Sequence, residues 1–92
     1  MARRERIDRV LGQQMADVER RIFLVKLAYE KYFSGMEPIE PLKEREALQR
    51  TMRELSRKPM NSTRERHRWQ SLRSRMSSME QYWQRNLVMI ER

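Results

Sequence analysis

The residues best suited to binding a ligand lie between positions 61 and 83, where five arginines and the only histidine stand against two glutamates. A guanidinium group keeps its charge at any physiological pH and pairs with phosphate or carboxylate oxygens through a planar fork of donors. This segment therefore favours contact with an anionic partner. The candidate anion-binding or nucleic-acid-binding residues are Arg64, Arg66, His67, Arg68, Arg73 and Arg75.

The same arginines also suit a purely structural role. If Trp69 occupies an a position of a heptad, Arg68 and Arg75 fall at g positions, and Arg66 and Arg73 fall at e positions. Side chains at these positions lay their stems over the apolar seam and reach acids on a neighbouring helix. Both interpretations stay open from the sequence. The acids within reach of such pairing are Glu19, Glu30, Glu44, Glu46 and Glu54.

No residue pattern points to catalysis or to a cofactor. The chain has no cysteine, which excludes disulfides and thiolate metal sites. No cluster of histidine and acidic residues has metal-ligand spacing, and no glycine-rich loop is present to hold a nucleotide phosphate. The carboxylates are dispersed among basic residues, so a paired acid and base is not indicated. We expect a protein that is not an enzyme and has no catalytic residue, no metal, no cofactor and no small-molecule substrate.

Composition favours a single domain of long helices. The 92 residues include only 2 glycines and 3 prolines, and 37% are charged. The formal net charge of +8 favours a partner that is an acidic protein or a nucleic acid, although no base-reading motif is present. No apolar run approaches the ~20 residues of a membrane span, and the N-terminus does not resemble a secretory signal. We therefore predict a cytoplasmic location.

Two long stretches carry apolar residues at alternating spacings of four and three, which is typical of a helix with a heptad seam. Together with a shorter amphipathic stretch, they predict helices over residues 3–34, 41–57 and 62–91. The first seam is Leu11, Met15, Val18, Ile22, Val25, Tyr29 and Tyr32. The short helix presents Leu42, Leu48, Met52 and Leu55. The last seam is Trp69, Leu72, Met76, Met79, Trp83, Asn86 and Ile90.

Helix-boundary residues mark the joints between these helices. Gly35 can adopt the left-handed conformation that ends a helix, and Pro41 suits the first turn of the next helix. Pro59 ends the short helix. Ser62 and Glu65 have the spacing of a capping box at the start of the last helix.

The unequal helix lengths predict self-association. At about 1.5 Å per residue the helices would be about 48, 24 and 44 Å long. The short helix would then leave the seams bare at Leu11 and Met15 and at Trp83 and Ile90, and a second copy usually buries such surfaces. Residues 22–29 are also apolar almost all round the helix and need neighbours on several sides. The predicted self-association residues are Leu11, Met15, Val18, Ile22, Val25, Trp83, Asn86 and Ile90.

The predicted fold class is all-α, with two long helices and one short helix in a three-helix, coiled-coil-like bundle that forms a homodimer. A buried amide at Asn86 would favour one register of pairing, whereas a frayed helix end would leave it in water. The basic N-terminal residues 3–9 form either a helix start or a second anion-binding patch. We expect an interaction or scaffold module. The alternative is sequence-independent nucleic-acid binding through the arginine-rich third helix.

A distinctive combination of short motifs runs from residue 29 to residue 91. It resembles an uncharacterised family of small helical domains from myxobacteria and related proteobacteria, some of which lie at the C-terminus of larger proteins. His67 and Met76 stand where that family favours aromatic residues. The resemblance implies a helical module without catalysis, and it implies no particular partner. The matching residues are Tyr29-Glu30, Tyr32-Phe33-Ser34-Gly35, Pro38, Asn61, Thr63, Arg66, Arg68, Leu72, Arg75, Trp83-Gln84-Arg85 and Ile90-Glu91.

Overall fold

A computed structural model gives the architecture of the chain and describes residues 2–91, with side chains described for residues 9–90. Helix α1 spans Ala2–Phe33, α2 spans Leu42–Ser56 and α3 spans Thr63–Glu91. The described residues contain no strand, so the predicted all-α class is confirmed. Each helix begins and ends within one residue of its predicted limits.

The joint after α1 has the geometry of a Schellman motif. Gly35 has a φ of 84°, the left-handed conformation that glycine adopts without a steric penalty. The Met36 N–H donates to the Lys31 carbonyl at 2.9 Å, and the Gly35 N–H donates to the Tyr32 carbonyl at 3.1 Å. These two bonds satisfy carbonyls that would otherwise lack a donor at the helix end, and they turn the chain back along α1.

The joint between α2 and α3 carries half of the predicted capping box. The Ser62 hydroxyl oxygen accepts a hydrogen bond from the Glu65 N–H at 3.0 Å, which caps the first turn of α3. The reciprocal bond, from the Ser62 N–H to the Glu65 carboxylate, is not formed within the described residues. Pro41 immediately precedes α2, and its carbonyl accepts a hydrogen bond from the Arg45 N–H at 3.1 Å.

Helix α1 is the spine of the molecule. Thr51 of α2 bonds Arg21, and Lys58 just beyond α2 bonds Gln14, so α2 runs antiparallel to α1. The α3 helix also packs against α1, and it runs parallel to α1 because Arg68 lies near Glu19 while the later Trp83 stacks on the later Tyr29. Within the described residues, no Cα atom of α2 lies within 8 Å of a Cα atom of α3. The result is a rod of 56 × 18 × 16 Å in which both later helices depend on α1.

The core follows the predicted seams closely. The stripe on α1 meets one stripe from α2 and one from α3, and Tyr32 and Met79 are only partly buried beside it. Leu42 was predicted on the apolar face of α2 but is 48% exposed, because it lies at the start of the helix. The buried residues are Leu11, Met15, Val18, Ile22, Val25, Tyr29, Leu48, Met52, Leu55, Trp69, Leu72, Met76 and Trp83.

The prediction of seams left bare by a single chain is wrong at three of its four positions. Leu11, Met15 and Trp83 are 4%, 0% and 1% exposed, all covered by residues of the same chain. The residues on either side of α2 extend the part of α1 that is covered. Glu40 before α2 bonds Tyr29, and Lys58 after α2 bonds Gln14. The segment between Glu40 and Lys58 therefore covers α1 over most of the seam.

Ile90 is the exception and is 54% exposed. Trp83 of α3 stacks on Tyr29, which lies four residues before the end of α1 at Phe33. Ile90 lies seven residues after Trp83, about two turns further along α3. Consequently the last turn of α3 extends beyond the end of α1 and has no helix beside it among the described residues.

Candidate functional site

Charge divides the rod into two halves. The basic half, residues 9–21 and 51–75, carries eleven basic and four acidic residues. The neutral half, residues 22–50 and 76–90, carries six of each. The contacts of Glu19 with Arg68 and Arg75 place these segments together at one end, whereas the stacking of Tyr29 on Trp83 joins the segments of the other end. Nearly all of the net positive charge thus lies on one half of the molecule.

The structure brings two of the predicted arginines onto one acid of α1. Arg68 and Arg75 approach the two oxygens of Glu19 at 3.8 and 3.9 Å. Both guanidinium groups remain about half exposed, so these pairs are long and screened by water. The predicted structural role is therefore seen for these two residues, and a single carboxylate serves both.

The other predicted anion-binding residues lie elsewhere on α3. Arg66 donates to the Met60 carbonyl at 3.0 Å and to the Thr63 hydroxyl oxygen at 3.3 Å. Arg64 and Arg73 form no ion pair within the described residues, and His67 is exposed. At 100° per residue, Arg64 falls on the same side of α3 as the pair on Glu19, while Arg66 and Arg73 face α2.

Asp17 on α1 neutralises part of the basic half. Arg20 lies 2.8 Å from one of its oxygens, and Arg21 lies 2.9 Å from the other. The hydrogen bond from Arg20 is the main reason why the pKa of Asp17 is lowered. The carboxylate is therefore ionised at neutral pH, and two of the eleven basic residues are paired locally.

The predicted self-association residues fall into an interior group and an end group. The interior group consists of residues that the chain covers itself: Leu11, Met15, Val18, Ile22, Val25 and Trp83. In the end group, Asn86 is partly buried, and its Nδ2 donates to the Tyr82 carbonyl one turn earlier at 2.9 Å. Among the described residues, Asn86 forms no side-chain hydrogen bond to another helix. Only Ile90 of the predicted set is a large exposed apolar residue.

A different apolar surface lies on the neutral half. Ten of the eleven large apolar side chains that are exposed among the described residues belong to this half, and Val10 is the exception. The cue in the sequence was the segment 22–29, whose apolar residues surround the helix, so that one face remains outside once the seam is buried. The ten residues are Phe23, Leu24, Leu27, Met36, Ile39, Leu42, Tyr82, Val88, Met89 and Ile90.

Part of this surface forms a groove of about 400 Å³ between α1 and the loop that precedes α2. Its apolar lining includes Leu24 and Leu27 from α1 and Ile39 from the loop. Ile39 is 79% exposed, more than any other large apolar residue among those described. Solvent-exposed apolar residues that share one concave surface are typical of protein contact sites.

A partly buried polar network, here called the clasp, fixes the inner side of the neutral half. The Tyr29 hydroxyl donates to Glu40 Oε2 at 2.7 Å and accepts from Arg45 Nη1 at 3.2 Å. Arg45 Nη2 and Gln49 Nε2 then donate to Glu80 Oε2 at 3.4 and 2.9 Å. The clasp therefore links the loop, α1, α2 and α3, and it supplies the direct hydrogen bonds between α2 and α3.

Aromatic stacking supports the clasp. The rings of Tyr29 and Trp83 are stacked with centroids 4.3 Å apart. The Arg45 guanidinium lies 5.8 Å from the Tyr29 centroid and 5.5 Å from the Trp83 centroid, which is within range of cation–π attraction. Burial raises the pKa of Tyr29 to about 12, so the phenol stays protonated at neutral pH and acts as the donor to Glu40.

Two other classes of site are not found in the described part of the chain. No group of three histidine or acidic side chains is arranged to hold a metal ion. No described helix is long and apolar enough to cross a membrane. The side chains of the basic N-terminal patch before Arg9 lie outside the described residues, so its predicted role stays a prediction.

Comparison with known proteins identifies no relative of this chain. No family model matches the chain, and no curated protein or solved structure matches it either. The similarity of residues 29–91 to the family of small helical domains therefore stays a prediction, and the function has to be inferred from the two halves of the rod.

Proposed function

We propose that the chain is a non-enzymatic helical interaction module whose neutral half binds a second copy of the same chain. The observation that carries this proposal is the concentration of exposed apolar side chains on the neutral half. Phe23, Leu24 and Leu27 lie on α1 outside the buried stripe, with exposed fractions of 60%, 47% and 37%. Their burial in a symmetric contact would contribute favourable free energy in proportion to the apolar area removed from water.

The distribution of charge favours a second copy at this surface. The neutral half has equal numbers of basic and acidic residues, so two such halves can approach without net repulsion. Two basic halves, each with an excess of seven positive charges, would repel each other. An isologous contact through the neutral halves would direct the basic halves outward. Such a dimer has the homodimeric state predicted from the sequence, but its contact surface differs from the predicted seams.

The test is the molar mass in solution, measured by light scattering coupled to size-exclusion chromatography from micromolar to millimolar concentration. We expect a dimer for the natural chain and a monomer for Phe23→Ser combined with Leu27→Ser. The matched control is Val10→Ser, which removes an apolar side chain that is 45% exposed on the basic half and should leave the dimer intact. A strict monomer of the natural chain at every concentration would contradict the proposal.

A second candidate function is sequence-independent binding of nucleic acid by the basic half. It is supported by the excess of seven positive charges there and by the exposure of Arg64, Arg68 and Arg75 on one side of α3. Contacts of arginine with phosphates release counterions, so the affinity should fall steeply as salt is added. In the proposed dimer this basic surface would be present twice.

This candidate is tested by the fluorescence anisotropy of labelled random duplex DNA and of RNA at several salt concentrations. We expect binding with a steep salt dependence that is lost when Arg64, Arg68 and Arg75 are each changed to Glu. Absence of binding at low salt would remove this candidate. We also propose the predicted cytoplasmic location, which cell fractionation would test. Membership of the family of small helical domains is a further proposal, and an alignment with additional sequences of that family would test it.

A further inference from the structure

A long polar groove runs between α2 and α3. Both helices pack on α1, but their backbones stay apart, and the space between them has a volume of about 710 Å³. Met52 and Met76 line the groove and are only 8% and 3% exposed, so they present little apolar surface to an occupant. All the other lining residues carry polar or charged groups, so an occupant can be recognised by charge and hydrogen bonds.

Besides Arg45 of the clasp, two arginines line this groove, one from each helix. Arg53 belongs to α2 and Arg73 belongs to α3. Arg53 lies two residues after Thr51, which bonds Arg21, and Arg73 lies between the two arginines that approach Glu19. The antiparallel course of α2 and the parallel course of α3 therefore bring Arg53 and Arg73 to a similar height along α1.

These two guanidinium groups have no acid to neutralise them within the described residues. The one carboxylate that lines the groove is Glu80, which already accepts hydrogen bonds from Arg45 and Gln49 in the clasp. Two unpaired cations that flank one groove repel each other, and an anion bound between them would remove that repulsion and gain charge-assisted hydrogen bonds.

The remaining lining suits an extended peptide. Ser77, Gln81 and Gln84 of α3 line the groove and carry hydroxyl and amide groups that can bond backbone or side-chain oxygens. The tryptophans, Trp69 and Trp83, are 5% and 1% exposed and offer no face on which a nucleobase could stack. Charge and hydrogen-bonding groups are therefore available in the groove, but stacking surfaces are not.

We propose that the groove between α2 and α3 binds an extended acidic peptide segment of a partner protein, with Arg53 and Arg73 clamping its carboxylates. This site is separate from the apolar surface through which a second copy would bind, so one dimer could hold two acidic segments. It also differs from the row formed by Arg64, Arg68 and Arg75, which lies on the other side of α3.

The test uses the full chain and a fluorescent oligoglutamate peptide, with binding followed by anisotropy at low salt. We expect the natural chain to bind and the combination of Arg53→Gln with Arg73→Gln to weaken binding by about tenfold or more, as expected for the loss of two charge-assisted contacts. The matched control is Arg64→Gln with Arg68→Gln, which removes the same charge from the same half outside the groove. This control should weaken binding by less than about threefold if the peptide binds in the groove and is not simply attracted by the overall positive charge of the basic half.

A second readout locates the peptide. In a titration followed by NMR, the side-chain amide signals of Gln81 and Gln84 should shift with the peptide, whereas that of Gln13 on α1 should not. Equal weakening by the two pairs of substitutions, or no binding at low salt, would overturn the proposal. It would also be overturned if an oligonucleotide of equal charge bound more tightly and depended on Arg53 and Arg73, because the groove would then be a nucleic-acid site.

Discussion

The two halves of the rod are built differently although one continuous core runs through both. In the neutral half, the clasp joins the loop and all three helices around the stacked rings of Tyr29 and Trp83. In the basic half, the buried core between the helices is apolar, isolated hydrogen bonds join Lys58 to Gln14 and Arg21 to Thr51, and most charged groups are exposed. One half thus has a polar interior contact and an apolar exterior, and the other half has the reverse.

Because of this difference, the contacts that fix the arrangement of the helices and the excess positive charge lie in different halves of the molecule. A partly buried network with defined geometry can hold the helices in one arrangement, because displaced partners would leave polar groups without hydrogen bonds. The basic half has no comparable buried network among the described residues. Its exterior can therefore carry excess charge, available to a partner, at a small cost in stability. We therefore expect substitutions on the two halves to affect different properties of the protein.

The largest effect is expected from Trp83→Ala, which should lower the free energy of unfolding by about 3–5 kcal/mol. The matched variant in the basic half is Trp69→Ala, which removes a tryptophan of similar burial but without a stacked ring or a guanidinium beside it. Urea denaturation followed by circular dichroism should show the greater loss for Trp83. Equal losses would mean that the clasp adds no stability to the neutral half.

The next effect isolates the polar part of the clasp. Arg45→Met should lower the free energy of unfolding by about 1.5–3 kcal/mol, because it removes charged donors from Tyr29 and Glu80 in a partly buried position. Arg53→Met, on the exposed side of the same helix, should change it by less than about 0.5 kcal/mol. Chemical denaturation of both variants provides the measurement, and a similar result for the two would remove the distinction between the halves.

A smaller effect should appear at alkaline pH. The pKa of Tyr29 is raised to about 12 in the folded chain, whereas an unfolded tyrosine ionises near pH 10. Between these two values the unfolded state loses its proton first, so the folded state should lose roughly 1 kcal/mol of stability by pH 11 and be unaffected by this group below pH 10. Tyr29→Phe should abolish this component of the pH dependence.

Thermal unfolding of the natural chain and of Tyr29→Phe across pH 9 to 12 gives the required difference. Other groups titrate in the same range, but they are common to both proteins and cancel. Identical pH dependence of the two proteins would show that the phenol is not protected in the fold.

The smallest effect concerns charge on the basic half. Arg73→Gln should raise the free energy of unfolding at low salt by about a few tenths of a kcal/mol, and with it the midpoint of thermal unfolding, because it reduces repulsion among like charges. Arg85→Gln, an exposed arginine on the neutral half, should leave the midpoint unchanged. Added salt should remove the difference. A loss of stability on changing Arg73 would indicate that this residue has a structural partner.

The fold could be predicted from the sequence because its determinants are local. Heptad spacing determines which side of each helix is apolar, and Gly35 and Ser62 mark where helices end and begin. These features depend only on residues that are close in sequence. The prediction of bare seams failed because it counted only the length of α2. It ignored the loop at Glu40 and the residues near Lys58, which extend the cover over α1.

The surfaces were harder to predict because they depend on long-range geometry. The clasp joins Tyr29, Arg45 and Glu80, which are far apart in sequence and belong to no recognisable motif. The pattern of residues 22–29 indicated that the helix is apolar on several sides, but only the structure shows that Phe23, Leu24 and Leu27 remain exposed to solvent. The division of charge along the rod also requires knowing that α2 returns along α1 and that α3 runs parallel to it.

The separation of α2 from α3 has a consequence for how the protein opens. Since each of these helices packs on α1, we expect α2 to separate while α3 stays docked, once its bonds to Glu80, Tyr29 and Arg21 and its apolar contacts with α1 are broken. Such a partial opening is a sub-global fluctuation rather than complete unfolding. Backbone amides of α2 should then exchange with solvent sooner than those in the middle of α1, which both α2 and α3 cover.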